Sequence, residues 1–194
     1  VRRGKLGLTF AVLAVMLTVG CTGQAGDPPT TEPPSPSVTP SPTPTPTPTP
    51  EAAIPPERPD MSQVDDATAE AVATYFLELY PYVYATRDLT EWRALSHPEC
   101  EFCASVVSNV EEMSANGNRA DGGILTVRDV AVAELTTGHF SVTASATQDA
   151  GHEYDTKGNV ISASEPGDYA LTVVVLAQGG SWTVRGVDFE TSVA

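Results

Sequence analysis

In the second half of the chain the apolar residues stop recurring at three- and four-residue intervals and begin to alternate with polar ones; the change falls at Gly123. A helix buries one face with a period of 3.6 and a half-buried strand with a period of 2. The chain is therefore expected to be helical before this point and sheet after it. Helices first and strands afterwards select an α+β arrangement over alternating βαβ folds.

Before Gly123 three helices are expected. In "SQVDDATAEAVATYFLELY", Ser62 reads as the N-cap with Asp65 three residues on, and Ala69, Val72, Phe76, Leu79 and Val83 form one apolar face. Pro81 is expected to kink or end this helix. Asp88 with Glu91 opens a short second helix carrying Leu89, Trp92 and Leu95, which His97-Pro98 stops. A third runs from about Glu99 with Cys103, Val106, Val107, Val110 and Met113 as its stripe, and Asn116-Gly117 caps its end.

After Gly123, "ILTVRDVAVAEL" and "HFSVTASATQD" read as strands joined near Thr137-Gly138. "YALTVVVLA" is apolar on both faces, as a central strand would be, and Gly179-Gly180 turns it into "SWTVRGVDFE", where Gly186 marks a bulge. The polar stretch between Ala150 and Asp168, holding "DTKGN", is either a small hairpin or a flap. N-terminal helices packed on a curved antiparallel sheet, ending in "GGSWTVRGVDFE", resemble the cone-shaped fold of nuclear transport factor 2, ketosteroid isomerase and polyketide cyclases. The resemblance implies a pocket between the first helix and the sheet.

This domain occupies residues 60–194, and nothing of the kind can form ahead of it. Between Pro28 and Pro59, 14 of 32 residues are proline, which fixes φ and removes the N–H that helix and sheet need. Alternating Thr-Pro favours extended polyproline II, and at ~3.1 Å per residue the stalk spans on the order of 100 Å. Its threonines are also candidates for O-glycosylation. Ahead of the stalk, Arg2, Arg3 and Lys5 precede 14 apolar or small residues, Leu6 to Val19, fewer than the ~20 that span a bilayer. Residues 1–20 therefore read as an export signal. Leu17-Thr18-Val19-Gly20-Cys21 resembles a bacterial lipobox, which implies a lipid on the Cys21 thiol and cleavage just before it. The expected location is the outer face of the cell membrane, with residues 21–59 as lipidated N-terminus and stalk. Lipobox, stalk, "AVATYFLELY" and "CEFC" together resemble an uncharacterised family of actinobacterial lipoproteins, a resemblance that implies no particular activity.

With 25 acidic against 10 basic residues the chain has a net charge of −15, which excludes the basic stripe that nucleic-acid phosphates require. The membrane, reached through the Cys21 anchor, and a cell-envelope protein or small hydrophobic ligand are the expected partners.

Chemistry is sparse. "HPECEFC" holds His97, Cys100 and Cys103, for which three readings stand open: a structural Cys100–Cys103 disulfide, a redox pair at a helix N-terminus, or a three-ligand metal site. The disulfide is the expectation, because the βαβ setting of CxxC redox sites and a fourth ligand are both missing. No metal or other cofactor is expected. His139 and His152 stand alone in the sequence. Tyr75, Tyr80, Tyr84 and Asp188 are the residues a cone-fold enzyme, an isomerase or hydrolase, would recruit. No catalytic set is demanded by their spacing, so a non-enzymatic binding or interaction module is the leading expectation.

Overall fold

The computed structural model describes residues 53–191; Cys21, the export signal and the Thr-Pro run lie outside the described residues. Three helices come first: α1 (Asp66–Thr86), α2 (Thr90–Leu95) and α3 (Glu101–Ala115). Seven strands follow: β1 (Arg119–Gly122), β2 (Leu125–Thr136), β3 (His139–Gln148), β4 (Gly151–Tyr154), β5 (Val160–Ser164), β6 (Gly167–Gln178) and β7 (Ser181–Thr191).

The apolar face expected for α1 is buried along its whole length, but its cap is Asp65 and not Ser62. The Asp65 carboxylate accepts the Thr68 N–H at 2.8 Å, while the Ser62 N–H is taken by Asp60 at 2.9 Å in a turn of its own. Pro81 does not end the helix, which runs on to Arg87 at φ 65°. A non-glycine residue in that conformation needs support. Arg87 has it: its N–H donates to Val83 at 2.8 Å and its guanidinium to the Asn118 carbonyl. The second helix starts at Thr90, whose N–H is accepted by Asp88 at 3.0 Å; Glu91 bonds outward, to Arg58 and Tyr75, rather than closing a capping box. α3 ends at Asn116, where Gly117 at φ 71° donates to Ser114 and Asn118 donates to Met113. That pair of bonds is a Schellman motif, which requires a residue that tolerates the left-handed region.

The strands form antiparallel ladders in the orders β2-β3-β6-β7 and β1-β4-β5. These are two arms of one bent sheet. Gly122 pairs with Gly151, and three residues on Leu125 pairs with Gln148 in unchanged register. Across the gap Gly123 donates to Ala150 and Asp149 donates to Ile124, both at 3.0 Å. Two successive pairs are thus bonded where an undisturbed antiparallel ladder alternates bonded and unbonded ones. The inner and outer faces therefore exchange parity at the bend. Gly122 has φ 74°, and a Cβ there would lie 2.2 Å from the Ala150 carbonyl oxygen, so the bend demands glycine.

Among the described residues four register shifts interrupt the ladders, at Leu135 and Ile161 and at two bulges that add curvature. Asp129 and Val130 together face Ala144, and Arg185 stands unpaired beside Gly186. Gly179 and Gly180 have φ of 60° and 81°, the two positive values of a type I′ hairpin turn. The polar stretch after Ala150 is a hairpin, β4 to β5, closed by Asp155, which accepts the N–H groups of Lys157 and Asn159. β1 has no apolar alternation and was not foreseeable as a strand.

The core lies between the helices and the inner face of β3, β6 and β7. Phe76 stacks on Trp92 with centroids 4.1 Å apart, and Phe140 meets Trp182 at 5.5 Å. Each fully buried side chain of this kind contributes about 1.5–3 kcal/mol. The segment leading into α1 is fastened to the same body: the Trp182 indole donates to the Gln63 carbonyl at 3.2 Å, and Arg58 pairs with Glu91 at 3.2 Å.

Candidate ligand cleft

Wrapping the bent sheet around α1 leaves two adjoining hollows. The first, about 120 Å³, is apolar and is walled by Leu77, Trp92, Phe102, Tyr169, Leu171 and Phe189. The second, about 220 Å³, holds more polar side chains: Tyr84, Asp121, His152, Glu153, Ser162 and Ser164 surround strand backbone at Gly122, Gly123 and Gly151. Tyr80 and Gln148 line both.

Tyr80 and Tyr84 sit one turn apart on α1, their rings 5.1 Å between centroids. Burial, followed by the Tyr84 hydroxyl and by Tyr169, pushes the Tyr80 phenol well above its ordinary range. The phenol thus stays protonated at physiological pH, a neutral group that can donate and accept. Tyr84 also accepts from the Asn109 amide at 3.3 Å. The aromatic wall is continuous: Phe102 stacks with Tyr80 at 6.0 Å, and Phe189 meets Phe102 and Tyr169 edge-on.

The other tyrosine and the aspartate expected to join them do not. The Tyr75 hydroxyl donates to Glu91 at 3.4 Å on the far side of α1, and burial and that carboxylate raise its pKa. Asp188 is exposed and lies between Val187 and Phe189, both of which face the apolar hollow, so it projects from the opposite face of β7.

The histidines are equally dispersed. His97 Nδ1 accepts the Glu99 N–H, and His139 Nδ1 lies 2.6 Å from the Thr136 hydroxyl. His152 is not isolated, because its Nδ1 is 3.6 Å from Asp121, which also accepts from Tyr154 at 3.2 Å and lies 3.6 Å from Arg119. Cross-strand partners share a face. Ala120, opposite Glu153, packs on the core, while the neighbouring pair Asp121 and His152 is part-exposed and lines the second hollow.

Cys100 and Cys103 stand at disulfide distance, with Cα atoms 5.2 Å apart, and both are buried. A pair at that distance fits the expected disulfide, which would leave no thiolate for a metal; among the described residues no cluster of three His, Cys, Asp or Glu stands close enough to hold an ion.

Gln148, Glu153, Phe102 and Tyr169 were not singled out by sequence. One signal was present: Gln148 is polar at the position where the alternation of Phe140, Val142, Ala144 and Ala146 calls for another apolar residue.

A family model described as a family of unknown function (DUF6318) matches residues 42–188. The chain belongs to that family. No curated protein matches the chain. Among solved structures, this DUF6318 member is similar to the intermembrane space region of the chloroplast protein ARC6, with a TM-score of 0.52 and 12% identity over 67% of this chain and 99% of that one. A putative scytalone dehydratase from Novosphingobium aromaticivorans superposes with a TM-score of 0.46 and 11% identity over 66% and 86%. An uncharacterised protein with a cystatin-like fold from Caulobacter vibrioides gives 0.43 and 9% over 63% and 88%. At such identities a likeness speaks to fold alone, and the fold of the DUF6318 member is an α+β cone. None of its helices among the described residues is long and apolar enough to cross a membrane.

Proposed function

We propose that this protein is a binding module, tethered to the outer face of the cell membrane by a lipid on Cys21, whose cleft takes a small, largely apolar ligand. The observation that carries the reading is the joining of an aromatic-walled hollow to one with more polar side chains across Tyr80 and Gln148. Ligand sites are mostly apolar concavities with a few placed polar groups that fix orientation. Here the rings accept the body of the ligand, while Tyr84, Gln148 and the serines of β5 supply hydrogen-bond partners. The tether rests on the lipobox-like run ending in Cys21, and the Thr/Pro-rich stalk gives the reach to hold an acidic domain clear of anionic headgroups.

The test is a titration of the folded protein with a neutral aromatic probe, indole, followed by two-dimensional NMR. Shifts concentrated at Tyr80, Phe102, Tyr169 and Phe189 support the cleft. Shifts confined to other surfaces, or none at millimolar indole, overturn it.

A further inference from the structure

Resting on that reading, we propose that the cleft is selective by charge: its ligand carries a cationic amine at the polar end of an apolar body, with Glu153 as the counter-charge.

Glu153 lines the second hollow from the inner face of β4, directly opposite Ala120. Its Oε1 accepts the Asn118 amide at 2.9 Å, and Asn118 is itself buried. This bond fixes the carboxylate without neutralising it. Glu153 makes no ion pair among the described residues, although Arg58, Arg93, Arg119, Arg128 and Arg185 each do. One amide occupies one of about four acceptor positions on a carboxylate, so most of its capacity is left over.

The remaining lining holds no arginine or lysine to meet an anion. Its other side chains on the inner face are neutral: Tyr80, Tyr84, Gln148, Ser162 and Ser164. His152 also lines the hollow, its Nδ1 3.6 Å from the Asp121 carboxylate, and Arg119 stands 3.6 Å from the same group. Asp121 is matched by those partners, so Glu153 is the unpaired charge of the hollow, and the chain as a whole stands at −15. A carboxylate or phosphate entering the hollow would meet an unpaired carboxylate at reduced dielectric, where like charges repel more strongly than in water. An ammonium would find a fixed partner, and the tyrosine faces add attraction of the cation–π kind.

Three probes of matched size separate the possibilities: phenethylamine, phenethyl alcohol and 3-phenylpropionate, titrated calorimetrically into the full mature chain at neutral pH. The expected order is amine, alcohol, carboxylate, with the amine at least tenfold tighter than the carboxylate. Glu153→Gln keeps the acceptor for Asn118 and should bring amine and alcohol within about twofold of each other. Alcohol binding in the cleft with carboxylate equal to or tighter than amine overturns the charge selectivity and leaves the binding module standing. An amine preference that survives Glu153→Gln overturns the role of Glu153. No binding by any of the three overturns both. The wild-type ranking decides the matter by itself if the variant fails to fold.

Discussion

The indole N–H of Trp92 donates to the carbonyl of Cys103 at 3.1 Å, both residues being buried. One bond thus joins the middle of α2 to the first turn of α3, on the same turn that the two cysteines close. Trp92 also stacks on Phe76 of α1, so its ring is where all three helices meet. Trp92→Ala should cost about 3–5 kcal/mol, as for other large aromatic truncations in cores. Urea unfolding with an unchanged m-value would register it, and a loss under 1 kcal/mol would show that the helices pack independently.

Replacing Cys100 and Cys103 together by serine should lower stability by about 2 kcal/mol, the scale expected for so short a closed loop. Exported protein should contain no titratable thiol. Two free thiols per chain in that assay would sink the disulfide, and an unchanged unfolding midpoint in the double variant would deny it a structural role.

How far these features were legible differs with their range. The apolar faces of the helices, the hairpin at Gly179-Gly180 and the bulge near Gly186 are local patterns, and each stands where periodicity and turn chemistry put it. The cap of α1 was misplaced because Ser62 and Asp65 both satisfy the capping rule, and only the Asp60 bond to Ser62 decides between them. The cleft was half hidden for another reason. Its tyrosines are visible on a helical stripe, but the inward turn of Glu153 follows from a parity exchange at Gly122-Gly123. Such an exchange is a property of two paired strands and has no signature in either one.

Gly122→Ala should be the sharpest probe of that bend. The positive φ and the contact with the Ala150 carbonyl predict a loss of about 1–3 kcal/mol. Gly158→Ala, at φ 85° but with open space around it, should lose less. Chemical denaturation of the pair tests the ranking; equal losses would mean that backbone conformation and not the close approach governs the site.

Acid should weaken the fold through its caps. Hydrogen bonds from Thr68 hold the Asp65 carboxyl below its ordinary value, and the Thr90, Asn159 and Thr147 contacts do the same for Asp88, Asp155 and Asp168. A carboxyl depressed in the folded state stabilises the fold above its unfolded pKa, and the contribution is lost as pH falls through the folded value. Thermal midpoints should therefore hold near neutrality and fall below about pH 4. Asp65→Asn should be less stable than the parent at pH 7 and should converge on it at pH 2–3. A gap that stays constant with pH would remove ionisation from the account.

Cys21 should carry the lipid. Mass spectrometry of detergent-extracted protein should find an acylated N-terminal peptide beginning at Cys21, and Cys21→Ser should abolish the modification. An unmodified protein recovered from the medium would leave the domain without its tether.

Such a tether would load the domain from one end, and the fastening between Trp182 and Gln63 decides where that load goes. Tension arriving through the residues ahead of Ala53 meets the Arg58–Glu91 pair and then the Gln63 carbonyl before it reaches the first turn of α1. The Trp182 bond to Gln63 links this segment to β7, which is itself laddered to β6. The segment that leads into the cleft-lining helix is therefore held to the domain on two sides before α1 begins.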